Sequence, residues 1–202
     1  MSMSASQPRS SAKHCAAVSR PDRPLVLVGL MGVGKTTVGK RLAARLNVKF
    51  LDADAEIEKA ADMSVADIFE RYGESGFRDG ERRVIARLLN DKPMVLATGG
   101  GAFMNDETRA LIKEKALAIW LDADLAVLAD RVSRRPTRPL LTGKDPLAVL
   151  SDLAAKRNPI YAQAHIHVMS NRTPHEETVQ AILEALAQWQ SAHDAPTEKR
   201  SV

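Results

Sequence analysis

The chain has 202 residues, 45% hydrophobic and 27% charged, which is ordinary for a single soluble globular domain. No apolar run approaches the roughly 18 residues of a membrane span, so we expect no membrane partner. The formal net charge is +4, but residues 1–23 alone carry a net +3. The rest of the chain therefore lacks the basic surface that binds nucleic acid, and we expect no nucleic-acid partner.

The two ends of the chain differ in composition from its middle. Residues 1–23 are rich in Ser, Ala and Arg and lack hydrophobic periodicity, so we expect a disordered basic tail. A transit peptide shares this bias and stays an alternative. A second disordered tail is expected at 191–202, which leaves one domain at 24–190. The single cysteine, Cys15, lies in the first tail, and a chain without an internal disulfide fits a reducing cytoplasm.

Between the tails, short apolar segments alternate with segments of helical period. The predicted strands are Leu25–Leu30, Lys49–Asp52, Met94–Thr98, Leu117–Leu121 and His165–Met169. The predicted helices are Lys35–Leu46, Val65–Arg71, Arg82–Asn90, Thr108–Lys115, Leu125–Arg131 and Glu176–Gln188. Ser64 and Asp67 resemble a capping box at the start of the second helix. This order predicts an α/β fold in which helices cover both faces of a five-stranded parallel sheet, with ligands at the carboxyl ends of the strands.

The first predicted strand leads into GLMGVGKTTVG at residues 29–39, which contains the G-x-x-x-x-G-K-[ST] spacing of a phosphate-binding loop. Glycines let consecutive backbone N–H groups surround a phosphate at the N-terminus of a helix. Lys35 can reach the β- and γ-phosphates, and the Thr36 hydroxyl can bind Mg²⁺. The loop predicts a bound nucleoside triphosphate but does not specify the reaction.

The next two strands also end in unusual sequences. The second ends in LDAD, where Asp52 and Asp54 lie on one side if the alternation of a strand continues. One acid could act on Mg²⁺ and the other on the hydroxyl of a phosphate acceptor, or one could simply cap a helix that starts near Ala55. The third ends in TGGGA, where Gly99–Gly101 either let a ligand approach the backbone or form a flexible connector.

Several basic residues are candidates for binding anions. Arg78 and Arg157 each stand apart from other cations, and arginine commonly binds carboxylate or phosphate in a bidentate manner, although either could be an ordinary surface residue. Residues 131–141 hold four arginines and two prolines, which indicates either a lid over a triphosphate or a solvated basic loop. His165 and His167 alternate on a predicted strand, and we expect surface positions without a carboxylate partner.

Taken together, these motifs resemble the shikimate kinase family over about residues 24–188. The phosphate-loop pattern G-x-M-G-x-G-K-[ST]-T-x-G, the acidic LDAD and the F-R-x-x-E element at 77–81 occur in the family's order. The sequences GGGA, RPLL at 138–141 and R-x-P-x-Y at 157–161 follow, also in order. The resemblance implies a three-layer P-loop kinase fold, with a substrate-binding helical region and a mobile lid at about 132–145.

The resemblance also implies an activity. Members of the family use MgATP to phosphorylate the 3-hydroxyl of shikimate, on the route to chorismate and the aromatic amino acids. The implied catalytic residues are Lys35, Asp54 and Arg138. The implied ATP-binding residues are Gly32, Val33, Gly34, Lys35, Thr36, Thr37, Arg131 and Arg138. The implied shikimate-binding residues are Asp54, Arg78, Gly99, Gly100, Gly101 and Arg157. One Mg²⁺ would be bound by Thr36 and Asp52, and a monomer in the cytoplasm is expected.

Two rival interpretations stay open at this point. A gluconate-type kinase would share the phosphate loop and the fold, but TGGGA and F-R-x-x-E weigh against its acceptor pocket. A nucleotide-gated regulator or RNA-binding protein would keep the loop without catalysis. The presence of Lys35, Thr36, Asp52, Asp54 and Arg138 argues against a lost activity, and the nearly neutral body argues against RNA.

Overall fold

The computed structural model describes residues 21–90, 92–134, 145–170 and 174–193. Its strands are β1 (Leu25–Val28), β2 (Lys49–Asp52), β3 (Met94–Ala97), β4 (Leu117–Asp122) and β5 (Ile166–Met169). They form one sheet in the order β2-β3-β1-β4-β5, and every neighbouring pair is parallel. All carboxyl ends therefore meet at one edge, and the predicted five-stranded parallel sheet is confirmed.

The helices are α1 (Lys35–Leu46), α2 (Ala53–Ala61), α3 (Val65–Leu88), α4 (Asp106–Lys115), α5 (Leu125–Ser133), α6 (Pro146–Tyr161) and α7 (His175–His193), with a 3₁₀ turn at Ala102–Met104. The four side chains of β1 alternate between the two faces of the sheet and all are buried, so both faces are covered. On the sheet, α1 packs against α7 and α4 packs against β4. Within the described ranges, every helix falls short of the length and apolarity needed to cross a membrane.

The strand at Leu25–Leu30 was predicted two residues too long, because the chain leaves the sheet at Gly29 with φ 135°. His165 precedes β5, and its Nδ1 accepts a hydrogen bond from the Ala118 N–H at 2.9 Å. His167 is on the strand and exposed, but the prediction that it lacks a carboxylate partner is wrong. Its Nε2 lies 3.3 Å from Asp122 Oδ2, because His167 pairs with Trp120 in the parallel register and Asp122 stands two residues further along β4, on the same face of the sheet.

The predicted helices Val65–Arg71 and Arg82–Asn90 are parts of α3, which is interrupted at Gly73 by a non-helical backbone (φ 67°, ψ −177°). The capping box is confirmed, since the Asp67 N–H donates to Ser64 Oγ at 3.1 Å and the Ser64 N–H to Asp67 Oδ2 at 3.4 Å. The helical segment after the break begins well before Arg82. Its buried stripe, from Phe77 to Leu88, packs in the core and outweighs the weak helix propensity of its glycines.

One helix, α6, is missing from the predicted set, and α2 was expected only in the alternative in which one acid of LDAD caps a helix that starts near Ala55. Pro159 in the last turn of α6 resembles a helix breaker, but the helix forms around it. Asp145 caps its start by accepting from the N–H groups of Leu147 and Ala148 at 3.3 and 3.0 Å. The helix α2 begins at Ala53, immediately after β2. Asp54 therefore lies in the first turn of a helix, and the predicted strand alternation of the two acids is wrong in that detail.

The described structure extends slightly into both predicted tails. Pro21 is buried, the guanidinium of Arg23 lies 6.0 Å from the centroid of the Trp189 ring, and α7 continues to His193. Residues 1–20 and 194–202 lie outside the described residues, as do residues 135–144 of the predicted lid.

Candidate active site

A cavity of about 640 Å³ lies where the carboxyl ends of β1, β2 and β3 face α3. Most of the residues singled out in the sequence line it. They are Gly32, Gly34, Lys35, Thr36, Thr37, Asp52, Asp54, Arg78, Gly99, Gly100, Gly101, Arg131 and Arg157. The side chain of Val33 is buried, so only its backbone can face a ligand. Arg138 lies outside the described residues.

The phosphate loop joins β1 to α1. Gly34 is the residue before α1 and has φ 99°, a left-handed conformation that favours glycine. The Lys35 ammonium donates to the carbonyl oxygens of Gly29 and Leu30, at 2.7 and 3.0 Å, and is thereby held across the loop. A cation and the free N–H groups at the start of a helix together favour a bound phosphate.

The two acids of LDAD occupy different positions beside this loop. Asp52 ends β2 and caps α2, because its Oδ1 accepts from the Asp54 N–H at 3.2 Å. Its Oδ2 accepts from the Thr36 hydroxyl at 2.9 Å. A carboxylate and a hydroxyl oxygen that touch each other beside a phosphate site are donors that suit Mg²⁺, which commonly takes few protein ligands and keeps phosphate and water for the rest.

The carboxyl group of Asp54 is reachable from the cleft but has protein around most of it. This burial raises its pKa, the charge of Asp52 raises it further, and the ammonium of Lys35 opposes both. A carboxylate with a raised pKa is a better proton acceptor than an ordinary one. Asp54 is therefore suited to take a proton from a hydroxyl group in the cavity.

Arg78 faces Asp54 from α3 and is paired with two acids. Its Nη1 donates to Glu81 Oε2 at 2.7 Å, and its Nη2 to the exposed Glu74 Oε1 at 3.3 Å. Glu81 is 2% exposed, and its Oε1 has no hydrogen-bond partner among the described residues. Burial, with a smaller contribution from Asp54, raises the pKa of Glu81, while Arg78 lowers it.

The glycines after β3 let these side chains come close to the backbone. A Cβ at Gly101 would lie 2.5 Å from Nη2 of Arg78, so a larger residue there would displace the guanidinium. The carbonyl oxygen of Gly100 accepts from Nη1 of Arg157 at 3.0 Å and from the Tyr161 hydroxyl at 2.5 Å. The sequence TGGGA is therefore a close-packed wall of the cavity.

The other end of the cavity lies over the phosphate loop. Nη1 of Arg131 donates to the Val33 carbonyl at 3.4 Å. The imidazole of His175 packs on Gly34, with Cε1 3.4 Å from where a Cβ would stand. Burial lowers the pKa of His175, and the cations of Arg131 and Arg41 lower it further. The lowered pKa favours the neutral form of this imidazole.

Comparison with known proteins identifies the family. The family model for shikimate kinase matches residues 31–187. The shikimate kinase of Caulobacter vibrioides is 60% identical over 166 residues, which cover 82% of this chain and 83% of that protein. The chain belongs to the shikimate kinase family.

Solved structures agree with this assignment. A shikimate kinase from Acinetobacter baumannii, in complex with shikimate, has a TM-score of 0.76 and 34% identity, covering 88% of this chain and 97% of its own. A gluconokinase from Sinorhizobium meliloti 1021 has a TM-score of 0.56 and 19% identity, covering 87% of this chain and 97% of its own. At that identity the likeness shows the shared fold alone.

The cavity of this shikimate kinase family member also contains residues to which the sequence assigned no individual catalytic or binding role, although some belong to the motifs or the predicted lid. They are Met31, Val65, Phe69, Phe77, Glu81, Thr98, Val132, Arg134 and His175. Glu81 stands three residues after Arg78 in a helix, a spacing that predicts contact and could have revealed the pair. Phe69 stacks on Phe77 at 4.5 Å across the break in α3, and the helical pattern before the break gives no signal of that contact.

Proposed function

We propose that the chain transfers the γ-phosphoryl group of ATP to the 3-hydroxyl of shikimate and releases ADP. The observation that carries this proposal is one cavity in which a phosphate loop faces an acid and two arginines, namely Asp54, Arg78 and Arg157. A small polyol acid needs cations for its carboxylate and an acid for its hydroxyl groups, and this set provides both.

Arg78 and Arg157 would bind the carboxylate of shikimate. The contact from Arg78 to Glu74 is 3.3 Å long and exposed, so a substrate carboxylate could replace Glu74 without disturbing the buried partner Glu81. Arg157 keeps donors beyond the one that it gives to Gly100. The backbone of Gly99–Gly101 would line the same pocket and exclude water from one side of the shikimate ring.

Asp54 would accept the proton of the 3-hydroxyl of shikimate. The hydroxyl oxygen would form a bond to the γ-phosphorus while the bond from that phosphorus to the β,γ-bridging oxygen breaks. Lys35 would hold the β- and γ-phosphates and balance the charge that shifts to ADP. The loop residues Gly32, Val33, Gly34, Thr36 and Thr37 would bind the phosphates. Arg131 would lie near the adenine of ATP. Arg138, which lies outside the described residues, would cover the phosphates.

A single Mg²⁺ would be held by Thr36 directly and by Asp52 through water, and when bound it neutralises phosphate charge and orients the triphosphate. Among the described residues there is no cluster of three or more His, Cys, Asp or Glu side chains that could hold a metal by itself. The ion would therefore arrive with ATP. We further propose that the enzyme acts as a monomer in the cytoplasm.

A coupled assay of ADP release tests the proposal with shikimate, quinate, gluconate and no acceptor. We expect turnover with shikimate that depends on Mg²⁺ and little ADP release without an acceptor. Phosphorus NMR of the product should locate the phosphate on the 3-oxygen. Preference for gluconate, or equal ADP release without any acceptor, would contradict the proposal.

A further inference from the structure

Tyr161 is a buried tyrosine at the end of α6 with no place in the chemistry described above. Its side chain is fully buried, and its ring lies 6.1 Å from the ring of Trp120, centroid to centroid. Its hydroxyl donates to the carbonyl oxygen of Gly100 at 2.5 Å. The hydroxyl is therefore aimed at the backbone of the cavity wall, although Tyr161 does not line the cavity itself.

The same carbonyl oxygen also binds Arg157. Nη1 of Arg157 donates to it at 3.0 Å, beside the donation from the Tyr161 hydroxyl. The three groups thus form a triangle in which two donors of α6 share one acceptor, which lies 57 and 61 residues away from them in the chain. A guanidinium bonded to a fixed carbonyl oxygen has lost part of its rotational freedom before a substrate arrives.

The neighbours of Gly100 connect this triangle to the rest of the acceptor pocket. A Cβ at Gly99 would lie 3.0 Å from Oδ1 of Asp54, and one at Gly101 would lie 2.5 Å from Arg78. A shift of the Gly100 carbonyl would therefore move the backbone against which the other two side chains rest. Position errors of this kind weaken binding and orientation without removing any chemical group.

We propose that Tyr161 is a positioning residue, whose hydroxyl fixes Arg157 and the Gly99–Gly101 backbone relative to each other and so sets the affinity of the acceptor pocket for its carboxylate substrate. The proposal rests on the function proposed above. Tyr161 would touch neither substrate and would act through Arg157 and Gly100.

Tyr161→Phe tests this role, because it keeps the packed ring and removes only the hydroxyl. We expect the KM and the calorimetric Kd for shikimate to rise about 2- to 12-fold, the range that corresponds to one lost hydrogen bond. The KM for ATP should stay within about twofold, since the phosphate loop is not part of the triangle. Tyr72→Phe is the matched control, because Tyr72 is the chain's other tyrosine and is 52% exposed.

A double-mutant cycle with Arg157→Ala separates positioning from general stability. If Tyr161 acts through Arg157, its substitution should weaken shikimate binding much less in the Arg157→Ala background than in the wild type. Equal effects in both backgrounds, or a fall in melting temperature with an unchanged KM for shikimate, would overturn the proposal. Wild-type protein that turns over no shikimate would instead refute the proposed function, so the two failures are distinguishable.

Discussion

At the scale of single residues, the cavity keeps opposite charges close without neutralising them all. The anion of Asp52 and the cation of Lys35 act in opposite directions on the pKa of Asp54, and Glu81 forms an ion pair with Arg78. The sequence identified most of these residues because their motifs lie at strand ends. It did not predict that burial, rather than a neighbouring charge, is the main reason for the raised pKa of Asp54, since burial depends on how α3 packs over the sheet.

Asp54→Asn should lower kcat by roughly 10²–10⁴, because the amide keeps the size of the side chain but cannot take up a proton. Asp62→Asn is the control: Asp62 is exposed, lies at the end of the same helix and has φ 51°, a conformation that asparagine tolerates. Steady-state kinetics with both substrates varied provide the measurement. A loss below about tenfold would mean that transfer needs no base.

The same residue predicts a pH profile for kcat/KM. A base works only when deprotonated, so activity should fall as the pH drops through the pKa of Asp54. Because burial and Asp52 raise that pKa, the fall should occur above the ordinary carboxylate value of 3.8. Glu81 contributes to the apparent value, since it interacts with Asp54. An acidic limb at or below the ordinary value would contradict this prediction.

Lys35→Met should abolish measurable turnover, with a loss of at least about 10²-fold, because the cation stabilises charge that moves toward ADP during transfer. The fold should persist, since Lys35 lies at the cavity and not in the core. Lys40→Met removes the same charge from an exposed position on the same helix and should leave kcat unchanged. Near-wild-type turnover by the Lys35 variant would contradict the kinase assignment.

At the scale of elements, the sequence predicted the strands more accurately than the helices. Continuous apolar runs such as LVLV and MVLA have few alternatives to a buried parallel strand. Helices α3 and α6 contain glycine or proline, which lower helix propensity, and long-range packing determines their extent. The sequence gives no local signal for the hydrogen bond from Arg157 to Gly100, because α6 is absent from the predicted helices and the two residues are 57 residues apart.

Two glycines of α3 provide a test of that packing. A Cβ at Gly80 meets no atom within 4 Å, so Gly80→Ala should stabilise the protein by about 0.5–1 kcal/mol through helix propensity. That corresponds to a rise in melting temperature of about 1–4 °C. A Cβ at Gly76 would lie 2.6 Å from Cβ of Tyr72, so Gly76→Ala should give no rise. Thermal unfolding measures the melting temperature of both variants. Equal shifts would contradict the close approach of Tyr72 to Gly76 across the break at Gly73.

At the scale of the whole molecule, the core and the site meet at the central strand of the sheet, β1, and its neighbour β3. The phosphate loop follows β1 and the glycine wall follows β3, so the same buried strands support both ends of the cavity. Tyr161 adds a connection from α6 to that wall, and burial raises its pKa to about 12. The stability of the fold should therefore depend on the protonation of one tyrosine.

Tyr161 stays protonated in the folded state up to about pH 12, whereas an unfolded tyrosine ionises near pH 10. Its contribution is therefore fully present below pH 10 and is lost as the pH rises toward 12. Over that window the free energy of unfolding of the wild type should fall by roughly 2–3 kcal/mol more than that of Tyr161→Phe. Comparing variants in urea cancels the titration of lysine and arginine, which both proteins share. Tyr72→Phe should follow the wild type, because the side chain of Tyr72 is exposed to solvent. Parallel curves for wild type and Tyr161→Phe would contradict the burial of the Tyr161 hydroxyl.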